Sequence, residues 1–249
     1  MSAGETDEEL AKRLATAAGA ILLALRAQGG CEGRALGQAG DQQANAMLCR
    51  EIRAARPDDA LLSEEEKDNR VRCSQSRVWI VDPLDGTREY GEGRDDWAVH
   101  VALAVDGVAT VGAVALPSLG VTLTSVAPVP LQPANEPLRM LVSRTRPAAE
   151  AVFVADKLGA ELVAMGSAGA KAMAVVRGEA DIYLHTGGQY EWDNCAPVAV
   201  AQAAGLHVSR VDASPIRYNN PDTYLPDLLI CRKEFAAEVL RLAAQYSPG

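Results

Sequence analysis

Residues 78–87 read Val-Trp-Ile-Val-Asp-Pro-Leu-Asp-Gly-Thr and hold the densest chemistry in the chain. The apolar run Val78–Val81 predicts a strand that delivers Asp82 at its end. Pro83 fixes φ and forces a turn, so Asp85 returns three residues later. Two carboxylates at that spacing can each face one ion and share another, with the Leu84 carbonyl as a further oxygen ligand. Hard divalent cations such as Mg²⁺ take such all-oxygen shells. Gly86 and Thr87 then offer backbone N–H groups suited to a phosphate oxygen. The plain alternative is an Asx turn that holds no ion.

Two further acidic clusters bear on that choice. Ser63-Glu64-Glu65-Glu66 follows the short apolar run Leu61-Leu62, with Glu64 18 residues before Asp82. Neighbouring strand ends would bring Glu64 beside Asp82, although taken alone the run reads as a solvated charge cluster. Glu191-Trp192-Asp193 opens a helix of small residues, where Asp193 suits an N-cap and Trp192 suits packing. Other chemistries lack their residues. No G-x-x-x-x-G-K-[ST] loop and no G-x-S-x-G elbow is present, and Gly91–Asp96 does not complete a dinucleotide fingerprint. His100, His185 and His207 are too scattered for a zinc triad, and His100 sits in a strand pattern as a core residue. Five cysteines without a C-x-x-C read as reduced thiols.

The elements that must carry these groups follow from periodicity. Apolar residues from Leu10 to Leu25 recur at helical spacing, which predicts an amphipathic helix from Thr6 to Arg26. Residues 29–40 are rich in Gly and read as a loop, with a second helix following Asp41 and closed by Pro57. From Trp97 the pattern turns to β: Val99, Val101, Leu103 and Val105 alternate, Asp106-Gly107 signals a hairpin, and Val111–Leu116 returns. Residues 126–137 carry four prolines and read as a linker or edge segment. Beyond them strand and helix alternate: 140–143, 147–158, 161–165, 168–176, 181–184, 193–204, 228–231 and a final helix from Lys233. The organisation expected is an N-terminal α+β subdomain, 1–135, carrying most metal ligands, and a C-terminal α/β subdomain, 136–249, carrying Asp193 and substrate-binding residues.

Composition narrows the partners. With 24 Lys and Arg against 33 Asp and Glu, the formal charge is −9, which argues against nucleic acid or an anionic membrane as partner. No uninterrupted run of about 18 apolar residues exists. The acidic first residues lack the pattern of a signal peptide, so the expected location is the cytoplasm.

Together the motifs carry a resemblance. D-P-L-D-G-T after an apolar strand, the upstream S-E-E, the downstream E-W-D-x-x-A-P and Gly166-Ser167-x-x-x-Lys171 resemble the inositol monophosphatase superfamily of Mg²⁺-dependent, lithium-sensitive phosphatases. That resemblance implies an α/β fold layered as an α-β-α-β-α sandwich, of the type shared with fructose-1,6-bisphosphatase. It implies two or three Mg²⁺ ions held by residues matching Glu64, Asp82, the Leu84 carbonyl, Asp85 and Asp193. Catalytic roles fall on Glu64, whose ion activates the water, and on Asp41 and Thr87, which orient it.

Val142–Arg146, the Gly166-Ser167 segment and Glu191–Asp193 look like the CysQ branch, whose members convert adenosine 3′,5′-bisphosphate (PAP) to AMP and phosphate in PAP recycling during sulfate assimilation. On that likeness Gly86, Thr87 and Asp193 contact the reacting end of the substrate. Arg144 and Lys171, with Ser143 and Ser167 as lesser donors, grip the second phosphate; their plain alternative is a surface Arg and a helix-flank Lys. PAPS, inositol phosphates and fructose 1,6-bisphosphate remain alternative substrates, and a homodimer is one assembly the resemblance admits. The family's usual Lys and T-x-x-D run is replaced by Gly37-Gln38-Ala39-Gly40-Asp41, where the Asp alone survives. An inositol monophosphatase, a fructose-1,6-bisphosphatase, or an idle phosphonucleotide-binding regulator are the competing readings.

Overall fold

The computed structural model describes residues 4–247. Helices α1 (Asp7–Gln28) and α2 (Gly33–Ala55) lead into β1 (Ala60–Ser63) and β2 (Arg77–Asp85), then a short helix α3 (Thr87–Gly91). Strands β3 (Ala98–Val105), β4 (Val108–Leu116) and β5 (Val121–Thr124) follow. Then come β6 (Arg139–Ser143), α4 (Ala149–Leu158), β7 (Glu161–Met165), α5 (Ala168–Val176), β8 (Ile182–His185), β9 (Gln189–Tyr190) and α6 (Glu191–Ala203). The chain ends with β10 (His207–Ser209), β11 (Tyr224–Leu225), β12 (Leu228–Cys231) and α7 (Lys233–Ala243).

The first sheet runs β1-β2-β3-β4-β5, with β1 parallel to β2 and the others antiparallel. A second sheet has the order β10-β12-β8-β6-β7. Helices α1 and α2 cover one face of the first sheet through Leu14, Leu22, Leu48, Trp79 and Val101. Its other face packs with α5, α6 and the second sheet around Ile80, Val114, Met173, Ala196, Tyr183 and Ile230. Helices α4 and α7 close the far side around Met140, Val154, Leu229 and Val239. The result is five layers, α-β-α-β-α. Sheets covered on both faces bury nearly every side chain of a strand, and β2 is buried from Val78 to Asp85.

Local rules account for most element ends. Thr6 caps α1 by accepting from the Glu9 amide, while the Glu9 carboxylate accepts from the Thr6 amide. Asp106 and Gly107, both at positive φ, make the β3–β4 turn.

The segment 29–40 corrects the sequence expectation. Only 29–32 form the loop: α2 begins at Gly33, so Asp41 sits inside the helix and not before it. Glycine costs about 1 kcal/mol in a helix, but here it lets the helix approach its neighbours. A Cβ on Gly37 would lie 2.6 Å from Thr87 Cγ2, and one on Gly40 would lie 2.9 Å from Leu22. Packing overrides propensity. Helix α6 starts at Glu191, two residues earlier than its apolar pattern suggests, so Asp193 is its third residue and not its N-cap.

Candidate metal and active site

The end of β2 sets the site's geometry. Asp82 Oδ1 accepts from the Leu84 amide at 3.0 Å, the Asx turn that Pro83 enforces. The strand register breaks between Asp82 and Asp85, and this irregularity turns both carboxylates to one end of the sheet. Parallel pairing puts Ser63 opposite Val81, so Glu64 follows beside Asp82, its amide donating to the Val81 carbonyl at 3.4 Å. Asp193 arrives from the first turn of α6. One oxygen each of Asp82, Asp85 and Asp193 lies within 4.8 Å of the others. Three of the four sequence-predicted carboxylates therefore meet, from two separate segments of the chain, while Glu64 stands outside that group of oxygens.

Electrostatics explain why such a cluster calls for a cation. Asp82 is 1% exposed, and burial followed by repulsion from Glu64, Asp85 and Asp193 holds its pKa well above the usual carboxylate range. Burial and the Asp193 charge push Glu64 up to about 8, although its side chain opens to solvent. Burial and Asp85 push Asp193 up to about 6, despite the Tyr190 amide that donates to it at 2.6 Å. Asp41, buried inside α2, is pushed up to about 7 by burial and by Glu65, against the pull of the Thr87 hydroxyl. Its Oδ1 is buried without a hydrogen-bond partner. An orphaned carboxylate oxygen beside mutually repelling acids, with oxygen as the sole donor type, fits a hard divalent ion.

Asp85 differs because protein donors already serve it. Burial would raise its pKa, but His100 and the Ser167 and Gly169 donors bring it down to about 2. Ser167 Oγ and the Gly169 amide donate to Oδ2 at 2.5 and 2.6 Å, and the Ala168 amide donates to Oδ1 at 3.1 Å. His100 Nε2 lies 3.2 Å from Oδ2, while its Nδ1 is 3.0 Å from the Trp192 carbonyl. His100 is thus a site residue that the sequence reading placed in the core. It spans Asp85 and the residue before Asp193. A side chain at Gly169 would collide with it, since a Cβ there would lie 2.0 Å from Nε2. The long β2–β3 connection hides the pairing of Asp82 with His100, so no local spacing could have revealed the contact.

The remaining predicted residues are placed as follows. Gly86, at φ 89°, precedes α3, and Thr87 Oγ1 donates to the Leu84 carbonyl at 3.0 Å. Ser167 caps α5 at φ 50°. Lys171 is buried, and its ammonium donates to the carbonyls of Gly166 at 3.1 Å and Ser167 at 2.5 Å. It therefore braces the turn that holds Asp85. Arg144 pairs with Glu89 at 2.7 Å and Glu92 at 2.5 Å. Ser143 Oγ accepts from the Arg146 amide. Helix α6 is anchored by Glu191, whose buried carboxylate accepts from the amides of Asn219 and Asn220 at 2.7 and 2.8 Å. Arg72 ties the same pair to the 3₁₀ turn at 71–74.

Comparison with known proteins agrees with this geometry. The sequence profile of the Inositol monophosphatase family matches residues 5–157 and 139–247. The chain is 52% identical to a 3′-phosphoadenosine 5′-phosphate phosphatase of Mycobacterium leprae, over 94% of this chain and 92% of that protein. It is 30% identical to the 3′(2′),5′-bisphosphate nucleotidase CysQ of Escherichia coli K12, over 75% of this chain and 81% of that one. The crystal structure of CysQ from Bacteroides thetaiotaomicron superposes with a TM-score of 0.79 at 24% identity, covering 92% of this chain and 98% of that one. The five-layer fold, the carboxylate cluster and the profile match together place this chain in the inositol monophosphatase family.

Proposed function

We propose that this chain is a Mg²⁺-dependent phosphoric monoester hydrolase that removes the 3′-phosphate of PAP, leaving AMP and phosphate. The observation that carries the reading is the 52% identity, over nearly the whole chain, to a protein named for that activity. Glu64, Asp82, the Leu84 carbonyl, Asp85 and Asp193 would hold the metal. Divalent ions bound there supply a water of lowered pKa and positive charge facing the phosphoryl oxygens. Asp41 and the Thr87 hydroxyl orient the attacking water. The first turn of α3 leaves N–H groups at Gly86 and Thr87 for the phosphate. Arg144 would have to exchange Glu92 for a second phosphate, whereas Lys171, its ammonium committed to the Gly166 and Ser167 carbonyls, braces the Ser167 turn. No described helix is long and apolar enough to cross a membrane. Five unpaired cysteines suit a reducing cytoplasm.

Phosphate release from PAP, measured with Mg²⁺ and with excess chelator, tests the reading. Release is expected with the metal and loss of release with the chelator. A kcat/KM for inositol 1-phosphate above that for PAP would overturn the nucleotidase assignment while leaving the metal site standing.

A further inference from the structure

Two acidic groups of the proposed centre reach it on separate arms of the chain. Glu64 follows β1 and opens the connection to β2, whereas Asp193 rides on the first turn of α6, more than a hundred residues later. Their charges repel one another. Contacts outside the pair must therefore hold the arms together until an ion offsets that repulsion.

Each arm carries a buried polar group with no part in the chemistry above. On the first arm it is Arg72, in the 3₁₀ turn Val71–Ser74. Its guanidinium donates to Asp68 on its own arm at 2.7 Å, and across to the Asn219 side-chain oxygen and the Asn220 carbonyl, both at 2.9 Å. On the second arm it is Glu191, fully buried two residues before Asp193. One of its oxygens accepts from the Asn219 amide, and the other accepts from the amide and the side chain of Asn220. The Asn219 side chain completes the crossing by donating to the carbonyls of Arg72 and Gln75 at 3.0 and 3.1 Å. The local sequence suits this task. Asn219 lies at φ 62°, a left-handed conformation that asparagine adopts more readily than most residues, and Pro221 keeps Asn220 out of the helical region. Stability is a poor account of the arrangement, because charged groups sunk this far lose to desolvation much of what they gain. The best-attested use of such groups is to fix one arrangement among several.

We propose that Arg72, Asn219, Asn220 and Glu191 form a strap that holds the Glu64 arm against the Asp193 arm, an inference that rests on the metal-site reading above. These are positioning residues: they act on the centre only through the two arms they join. The strap keeps the repelling carboxylates near their working places in the metal-free protein, so an ion binds without first having to gather them.

The test is calorimetric titration of the metal-free protein with Mn²⁺. Asn219→Gly keeps the left-handed backbone and its amide on Glu191 but removes the side-chain crossing. Glu191→Gln keeps the shape but turns an amino group toward a donor. Each should raise the Mn²⁺ dissociation constant about tenfold, the lower end of what the partners of a ligand contribute, with the circular dichroism of the wild type. Arg77→Met serves as the control. It removes a comparable network, the pairs with Asp7 and Asp59 at the start of β2, the opposite end from Asp82 and Asp85. It should lower the melting temperature and leave the Mn²⁺ affinity unchanged. Wild-type affinity in either Asn219→Gly or Glu191→Gln would overturn the strap, and so would an equal loss in Arg77→Met, which would reduce it to general destabilisation. Failure of the wild type to bind Mn²⁺ would overturn the metal-site reading itself, and the strap with it.

Discussion

Asp85 and Asp82 lie three residues apart and live under opposite electrostatic regimes. Protein donors saturate one face of Asp85 and leave Asp82 to repulsion from its neighbours. His100 is central to that asymmetry because it ties the Asp85 carboxylate to the carbonyl that precedes Asp193. Partners of a metal ligand usually contribute about 10- to 100-fold in metal affinity. His100→Ala should therefore weaken Mn²⁺ binding by about that much in a calorimetric titration, and unchanged affinity would remove His100 from the site.

The raised carboxylates also set a pH dependence. Asp193, Asp41 and Glu64, at about 6, about 7 and about 8, keep more protons folded than unfolded near neutrality. Their contribution to stability is full below the ordinary carboxylate range and is lost as pH rises through 6 to 8. Asp85, held at about 2, has the opposite sign, and its contribution is lost only below the ordinary range. The melting temperature of the metal-free protein should fall between about pH 5 and 8, and saturating Mg²⁺ should flatten that slope. An equally steep fall with Mg²⁺ would separate these acids from metal binding. Spacing alone exposes Asp82 and Asp85 to a reader of the sequence, since one turn fixes both. Asp41 was legible only through the family resemblance, and His100 not at all, because it meets Asp85 across a strand pair and Trp192 across 92 residues.

At the scale of elements, α2 shows where local rules mislead. Its glycines at 33, 37 and 40 spell a loop, and the tertiary contacts make them a helix. The sequence gives propensity but not the distance to α3. Two effects compete in Gly37→Ala: about 1 kcal/mol gained in helix propensity against roughly 1–3 kcal/mol lost to overpacking. With the added Cβ 2.6 Å from Thr87 Cγ2, overpacking wins. Gly37→Ala should lower the melting temperature and kcat together, whereas Gln38→Ala, on the exposed side, should change neither. A stabilised Gly37→Ala would mean that α2 moves away from Thr87 without cost. By contrast β7 and α5 were legible to the residue, because a clear break at Gly166-Ser167 separates two different periodicities.

For the whole molecule, the central layer decides the behaviour. Helices α5 and α6 come from the second half of the chain but bury the inner face of the first sheet. Neither sheet can expose that face without losing the same core, so unfolding should be one cooperative transition. Far-ultraviolet circular dichroism and, in a Trp192→Phe background, emission from Trp79 and Trp97, both in the first half, should give coincident curves in urea. Separate midpoints would show that the halves hold together independently.

The order of the proposed ligands along the chain carries one more consequence. Glu64, Asp82 and Asp85 leave the ribosome more than a hundred residues before Asp193, and the donors at 167–169 that fix Asp85 also emerge late. A nascent or prematurely terminated polypeptide therefore holds the acidic half of the centre without its closing ligand. It can repel anions but cannot assemble the buried cluster, so under the proposed metal site hydrolysis is confined to chains whose synthesis has passed α6.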